Sequence, residues 1–357
     1  MSKTYQVMVV GMGKRGLHHA AAFQANPRFH LAGLCDIDPA RLAAAAQKLG
    51  NPKTGTDAAA LAQEVRPDVF CFCTMPHLRT PFIKAGIESG AKLIAFEKPV
   101  ALTSREGMDI KRLLDAAGVK AVVSHQHRYG VHYRAVKEIA ASGALGRIHT
   151  VTGTATGWMT HMLSHLIDYA RWYAGEPEAH WVMAQAAGCG KFTDNHPSPD
   201  FIAGVVQFAG GIRGYFEAGA GAPDQPEVAK WWGKNRICVQ GTEGFAEVLT
   251  NGGWRSVSRR DGFQSGEGAM SYDLDMPPYI QEMADWLDDP LNVHACHFES
   301  AYKGMEIMMG LCRSAAEGGQ VALPLTAPAD ELDLLKKAVS DRTVLLSDPV
   351  NAKEYGV

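Results

Sequence analysis

The stretch THMLSHLIDYARWYAG, residues 160–175, places His161, His165 and Asp168 at helical spacing. Positions i and i+4 of a helix lie roughly 6 Å apart on one face. Two imidazoles so placed suit a metal, a general base with a helper, or a solvated face. Histidine titrates near neutral pH, so it suits proton transfer. A second chemical signal is Glu97-Lys98-Pro99, which closes the apolar run AKLIAFE. In an open α/β sheet the carboxyl ends of the strands face the ligand crevice, so a lysine there points towards cofactor and substrate. A third is Gly11, Gly13 and Gly16 in VMVVGMGKRGLHHAAAF, a G-x-G-x-x-G between an apolar run and a helix-like segment.

That glycine spacing fits a dinucleotide loop. The turn lets the pyrophosphate approach the backbone, and the N-terminus of the following helix receives the anion. Met12, Lys14 and Arg15 complete the loop. Asp36, about 20 positions on, would accept hydrogen bonds from the adenosine ribose and repel a 2′-phosphate. Ile37 beside it offers no cation, so the reading favours NAD over NADP, with Arg15 and Arg41 the nearby counter-argument.

The elements that must position these residues alternate from residue 5 to about 124: YQVMVVG, FHLAGLCD, VFCFCT, AKLIAFE and KAVVSH read as strands, with amphipathic segments between them. Such alternation specifies βαβ units and a doubly wound parallel sheet. After about residue 146 the runs HTVTGTATGW, FIAGVVQFAGGIRGYFEAGAG, RICVQGTEGFAEVL and WRSVSRR read as strands with glycine turns, which predicts a second sheet, antiparallel or mixed. PPYIQEMADWL and ESAYKGMEIMMGLCRSAAEGG read as helices packed on it, and the tail beyond about 322 shows no clear core face. The division expected is residues 1–124 and 125–357.

Composition limits the function. With 357 residues and 46% hydrophobic content, the chain can bury two ordinary cores. Basic and acidic side chains number 35 and 38, without a basic run, so a nucleic-acid partner is not expected. Neither a signal peptide nor an apolar run long enough for a membrane span is evident, which predicts a cytoplasmic protein. The seven cysteines, 35, 71, 73, 189, 238, 296 and 312, fit reduced thiols. Cys71 and Cys73 share a sheet face, and His294-Ala-Cys296-His297 is a soft-ligand cluster. Both read as structural, because neither has a second ligand pair, and no metal is expected. A sheet with one polar face invites subunit pairing, so a homo-oligomer, a dimer or tetramer, is expected.

The segments VVGMGKRG, CDIDPAR, CTMPHLR, ESGAKLIAFEKPVA, VSHQHRY, SGALGRI, SHLIDYARWYAGEP, QGTEGFAEV and GGQVALPL resemble the glucose-fructose oxidoreductase, inositol dehydrogenase and rhizopine-catabolism family (Gfo/Idh/MocA) through most of the chain. The resemblance implies a Rossmann domain, a C-terminal α/β domain with a large open, mostly antiparallel sheet, and hydride chemistry between a nicotinamide and a sugar, cyclitol or related polyol. It implies that Lys98 contacts the reacting hydroxyl, with Glu97 its neighbour at the nicotinamide end. Thr74, Met75, Pro76 and His77 match the loop beneath the dinucleotide. Gln126, His127 and Arg128 match a segment that faces substrate, with Tyr129 and Tyr133 behind it. His165 matches the catalytic histidine and Asp168 its structural companion.

Many members carry aspartate four residues before that histidine, where this chain has His161. A metal on the pair would need a third histidine or a carboxylate that the sequence does not show. His161 instead reads as a substrate contact or a group that tunes His165, since two adjacent imidazoles resist double protonation. A second-layer histidine is the plainer alternative. Trp158, and Trp231-Trp232 flanked by Lys230, Lys234 and Arg236, are candidates for stacking on a sugar, or an anionic one. Three functions fit the chain: an NAD-dependent sugar or polyol dehydrogenase, a glycoside-cleaving enzyme that oxidises its sugar transiently, and a non-catalytic NAD(H)-binding regulator. Lys98 together with His165 argues against the regulator.

Overall fold

The computed structural model describes residues 3–229 and 233–340. Lys230, Trp231 and Trp232, the candidate sugar-stacking pair and its neighbour, lie outside the described residues. Two compact units organise the chain, one built from residues up to Ala101, Glu106–Tyr129 and Ser271–Ala301, the other from Leu102–Arg105, Gly130–Met270 and the described residues from Tyr302 onward.

In the first unit the strands are β1 (Tyr5–Val10), β2 (Phe29–Cys35), β3 (Lys53–Gly55), β4 (Val69–Phe72), β5 (Leu93–Glu97) and β6 (Lys120–Ser124). The helices between them are α1 (Lys14–Ala25), α2 (Pro39–Lys48), α3 (Ala58–Val65), α4 (Arg79–Glu88) and α5 (Ser104–Ala117). All pairings are parallel and the order is β3-β2-β1-β4-β5-β6. The order reverses direction between β1 and β4, where such sheets open a crevice at the strands' carboxyl ends. The apolar runs lie buried, as strands covered on both faces require. β3 is the element the sequence hides, since KTG has no apolar run and is mostly exposed.

Beyond β6 lie a short 3-10 helix, Gln126–Tyr129, α6 (Val131–Ala141), and the second unit's strands: β7 (Ile148–Ala155), β8 (Ala179–Ala187), β9 (Phe201–Phe208), β10 (Arg213–Gly219), β11 (Asn235–Gly241), β12 (Gly244–Leu249), β13 (Gly253–Ser258), β14 (Gly262–Gly266) and β15 (Val321–Ala322). They form one nine-stranded sheet in the order β14-β13-β12-β11-β7-β10-β9-β8-β15, antiparallel throughout except for the β7–β10 pair. The helix α7 (Met159–Tyr173) lies against it. Gly153 on β7 permits the approach, because a Cβ there would stand 2.9 Å from Leu166 Cβ.

Two expectations are corrected. PPYIQEMADWL belongs to α8 (Tyr272–Asp288), whose Met276, Tyr279, Ile280, Met283 and Ala284 join the core of the Rossmann unit with Val7, Val9 and Phe23. Its apolar spacing shows that one face is buried, but not which sheet covers it. The tail likewise carries α10 (Glu331–Ala338), with Leu332 and Leu335 buried one turn apart. The long segment ESAYKGMEIMMGLCRSAAEGG does form α9 (Phe298–Glu317) on the second sheet, where a Cβ at Gly310 would meet Val182 Cγ2 at 3.0 Å. Among the described residues no helix is long and apolar enough to cross a membrane.

Candidate active site

The glycine loop divides its labour. Gly11 has φ +88°, and a Cβ there would stand 2.6 Å from the Cys73 carbonyl oxygen. At Gly16 a Cβ would overlap Gly11 O at 1.6 Å, so this glycine lets α1 press on the turn. Gly13 is different, with nothing within 4 Å of where its Cβ would be. It caps α1, and no side chain satisfies the helix's first amides. An open backbone cradle at an uncapped helix N-terminus accepts an anion through N–H groups and the helix dipole. Arg15 adds a guanidinium that stacks on Tyr272 at 4.1 Å, with Nη1 buried and without a hydrogen-bond partner. Lys14 is exposed, while Met12 sends its side chain into the core.

Asp36 ends β2, 5% exposed, and accepts from Met12 N at 2.6 Å and Asp38 N at 2.9 Å. The loop and the acidic residue are thereby tied together. Arg41 stands 3.5 Å from both Asp36 and Asp38. Ile37 is 87% exposed beside them. These residues fit the adenosine half of a dinucleotide.

A second group of residues gathers around Arg79, fully buried at the start of α4. Its guanidinium donates to Thr74 O at 2.9 Å, Lys98 O at 3.1 Å and Pro99 O at 3.2 Å. One cation thus fixes both the 74–77 loop and the E-K-P segment. Burial lowers its pKa to about 10, which leaves it charged at neutral pH. Met75 and His77 are exposed on this loop, while Pro76 is buried. Glu97 faces His19 Nε2 at 3.4 Å. Burial works against its carboxylate, yet His19, Arg15 and Lys98 outweigh it and bring the pKa down to about 2. Burial lowers Lys98 to about 8, opposed by Glu97 and aided by Arg15 and Arg79. An amine tuned this close to neutrality can change its charge during a reaction.

After β6 the segment Gln126, His127, Arg128 is buried. Gln126 Oε1 accepts from Ser124 Oγ at 3.0 Å, His127 Nδ1 lies 3.1 Å from Asp275, and Arg128 donates to Ala295 O at 2.8 Å and Ser300 Oγ at 3.1 Å. Tyr129 bonds Glu282, and Tyr133, in the other unit, pairs with Thr250 Oγ1 at 2.7 Å. The cluster at His294 is tied into the same region by its own hydrogen bonds. Cys296 N donates to His294 Nδ1 at 2.9 Å, and burial lowers that imidazole to about 4.

In the second unit α7 is buried on every side but one. His161, His165 and Trp172 are its only residues not buried, and at 100° per residue they share one stripe. His165 Nδ1 lies 3.2 Å from Tyr169 Oη, and the two rings stack. His161 packs edge to face on His196, with centroids 4.9 Å apart. Ser198 Oγ accepts from Thr160 N at 3.1 Å, so the loop after β8 caps this helix. Trp158 stands at the N-cap with Lys191 Nζ 4.3 Å above its ring. Asp168 lies buried on the stripe of the histidines. Lys234 pairs with Asp224 at 2.5 Å and Arg236 with Glu227 at 2.7 Å.

Residues 5–125 match the family model described as "Oxidoreductase family, NAD-binding Rossmann fold", and residues 153–247 match the "GFO/IDH/MocA C-terminal domain". The chain belongs to the Gfo/Idh/MocA oxidoreductase family. Within it, the chain is 23% identical over 241 residues to the D-glucoside 3-dehydrogenase of Escherichia coli K12, covering 59% of this chain and 68% of that one. It is 25% identical over 224 residues to the inositol 2-dehydrogenase of Rhizobium meliloti, covering 58% and 66%. A solved levoglucosan dehydrogenase in complex with NADH and levoglucosan superposes with a TM-score of 0.75 at 19% identity, covering 90% of this chain and all of that one. That likeness establishes the shared fold. As a Gfo/Idh/MocA member, the chain puts its NAD-binding role in the unit holding the Gly11–Gly16 loop and Asp36.

Sequence reasoning missed two residues of that unit. Arg79 closes the fragment CTMPHLR, but only the fold brings the carbonyls of 74, 98 and 99 to it. An arginine directly after the 74–77 loop, at the start of α4, was the available signal. His19 looked like one more position on an amphipathic helix, and the fold sets it against Cys71 and Glu97.

Proposed function

We propose that the protein is an NAD-dependent dehydrogenase acting on a secondary alcohol of a sugar, cyclitol or sugar acid. Gly13 and the first amides of α1 hold the pyrophosphate, and Asp36 accepts the adenosine ribose hydroxyls. Arg41 is engaged by two aspartates at 3.5 Å, so it provides no dedicated partner for a 2′-phosphate, which supports NAD over NADP. The bound nicotinamide supplies the hydride acceptor, or the donor in the reverse direction. In oxidation His165 takes the hydroxyl proton, a step assigned to Nε2 because Tyr169 engages Nδ1. Lys98, protonated below about pH 8, donates to the substrate oxygen as negative charge develops on it. Glu97 holds that ammonium in place, and Arg79 positions Lys98 by holding its carbonyl. His161 contacts substrate beside His165, with Trp158 as the stacking surface. Gln126, His127 and Arg128, fixed by their bonds to Ser124, Asp275, Ala295 and Ser300, offer further substrate contacts.

The observation that carries this reading is the one stripe of α7 that is not fully buried: His161, His165 and Trp172 are half-buried there, while every other residue of the helix is buried. A solvated helix face would be broader and charged. The test is a panel of sugars, cyclitols, glycosides and sugar acids, read for NADH. NADH formation with at least one of them, lost in Lys98→Met, supports the reading. Aglycone release without NADH would replace it with glycoside cleavage through transient oxidation. Tight NADH binding with no turnover on any member would replace it with a non-catalytic binder.

A further inference from the structure

Beneath the glycine loop the proposed hydride chemistry leaves three soft side chains unused. His19 of α1, Cys71 of β4 and Cys73 just after it bring one imidazole nitrogen and two sulfurs within 4.8 Å of one another. His19 and Cys71 are 2% and 0% exposed, and Cys73 is half-buried. Nδ1 of His19 faces Cys71 Sγ at 3.8 Å, while Nε2 faces the Glu97 carboxylate at 3.4 Å. An imidazole with a sulfur on one nitrogen and a carboxylate on the other is how metal-bound histidines are oriented. Zinc holds sulfur at about 2.3 Å and nitrogen at about 2.0 Å, so tetrahedral ligands stand about 3.5–3.8 Å apart, a contraction of about 1 Å at most.

We propose that His19, Cys71 and Cys73 form a binding site for one thiophilic divalent cation of the zinc class, with Glu97 holding the imidazole from behind. The cation replaces one proton on each thiol and takes the lone pair of His19 Nδ1, while Nε2–H stays with Glu97. The two thiolates neutralise the dication, and water fills the fourth position. The two thiol protons leave, so occupancy rises with pH. The site reaches the cofactor loop directly, since Cys73 N donates to Val10 O at 2.8 Å and Cys73 O is the atom that crowds Gly11. A cation there fixes the turn that receives the dinucleotide.

The test uses the full chain, stripped with a chelator and titrated with cobalt(II), then zinc(II). The proposal expects one equivalent of cobalt to give a near-ultraviolet sulfur-to-cobalt band, zinc to abolish it, and the band to strengthen as pH rises. In wild type, zinc should protect Cys71 and Cys73 from alkylation at least tenfold, mapped by peptide mass, which does not depend on any variant folding. Cys71→Ser and His19→Gln should weaken binding at least tenfold, and Cys238→Ser should not. No band and no protection in wild type would overturn the proposal. A band that persists in the Cys71→Ser, Cys73→Ser double variant, or that disappears in Cys238→Ser, would also overturn it.

Discussion

Substituting alanine at Gly13 and at Gly16 separates two meanings of the glycine loop. At Gly13, where φ is −70°, the new methyl meets nothing within 4 Å. Alanine restricts the unfolded chain, worth about 0.4–1 kcal/mol in favour of folding, and is a poorer N-cap than glycine by about as much. The two offset, so the melting temperature should stay within about 2 °C of wild type. The methyl nevertheless occupies the space that the cofactor's pyrophosphate needs. Losing one hydrogen bond to a charged group costs about 1.5–3 kcal/mol, which is about a ten- to hundredfold weaker affinity. At Gly16 the methyl lands 1.6 Å from a backbone carbonyl oxygen, and neither partner is a flexible side chain. Overpacking of this kind costs about 3 kcal/mol or more, a fall of about 6–12 °C. Calorimetric NADH titration and thermal melts on both variants give the assay. Normal NADH affinity in Gly13→Ala would mean that the cofactor does not approach Gly13, and a wild-type melt in Gly16→Ala would mean that the turn has room for a methyl there.

Arg79→Met should be strongly destabilising, because it strands three buried carbonyls. We expect a loss of about 3–5 kcal/mol in urea unfolding, with KM for NAD and kcat both impaired. A change under 1 kcal/mol would remove Arg79 as the bracket of both segments. Lys98 should label with amine-directed reagents along a titration centred near pH 8, below ordinary lysines, because burial outweighs Glu97. Its folded pKa lies below its unfolded one, so unfolded chain binds the proton more tightly. The stability this costs at neutral pH is regained as pH rises from about 8 towards the ordinary value, and Lys98→Met should abolish that rise. Asp36→Ala should weaken NAD binding about tenfold or more and narrow the preference over NADP, measured as the ratio of kcat/KM values. An unchanged ratio would take Asp36 out of cofactor selection.

The sequence made the chemistry legible where spacing is local. Glycines at 11, 13 and 16, an acid at 36, a lysine after a strand and histidines at i and i+4 are all statements about neighbours in the chain. The apolar runs likewise disclosed five of the six parallel strands, because strands covered on both faces must be apolar, and lost β3, which is short and at the edge. What stayed hidden depends on contacts between distant segments. Amphipathic spacing shows that α8 has a buried face, while only the fold shows that this face lies in the Rossmann core. Arg79 and His19 have the same explanation. Two of the arginine's three partners are 19 and 20 residues away and the histidine's are 52 and 78 away, so the local pattern marks at most the arginine's position and not what it holds.

If His165 moves the proton while the Gly11–Gly16 loop holds the cofactor, the decisive measurement is single-turnover hydride transfer by His165→Ala with saturating NAD and a substrate found in the panel. The rate should fall about a hundred- to ten-thousandfold, with NADH affinity unchanged. A rate within threefold of wild type at intact cofactor binding would show that His165 does not carry the proton.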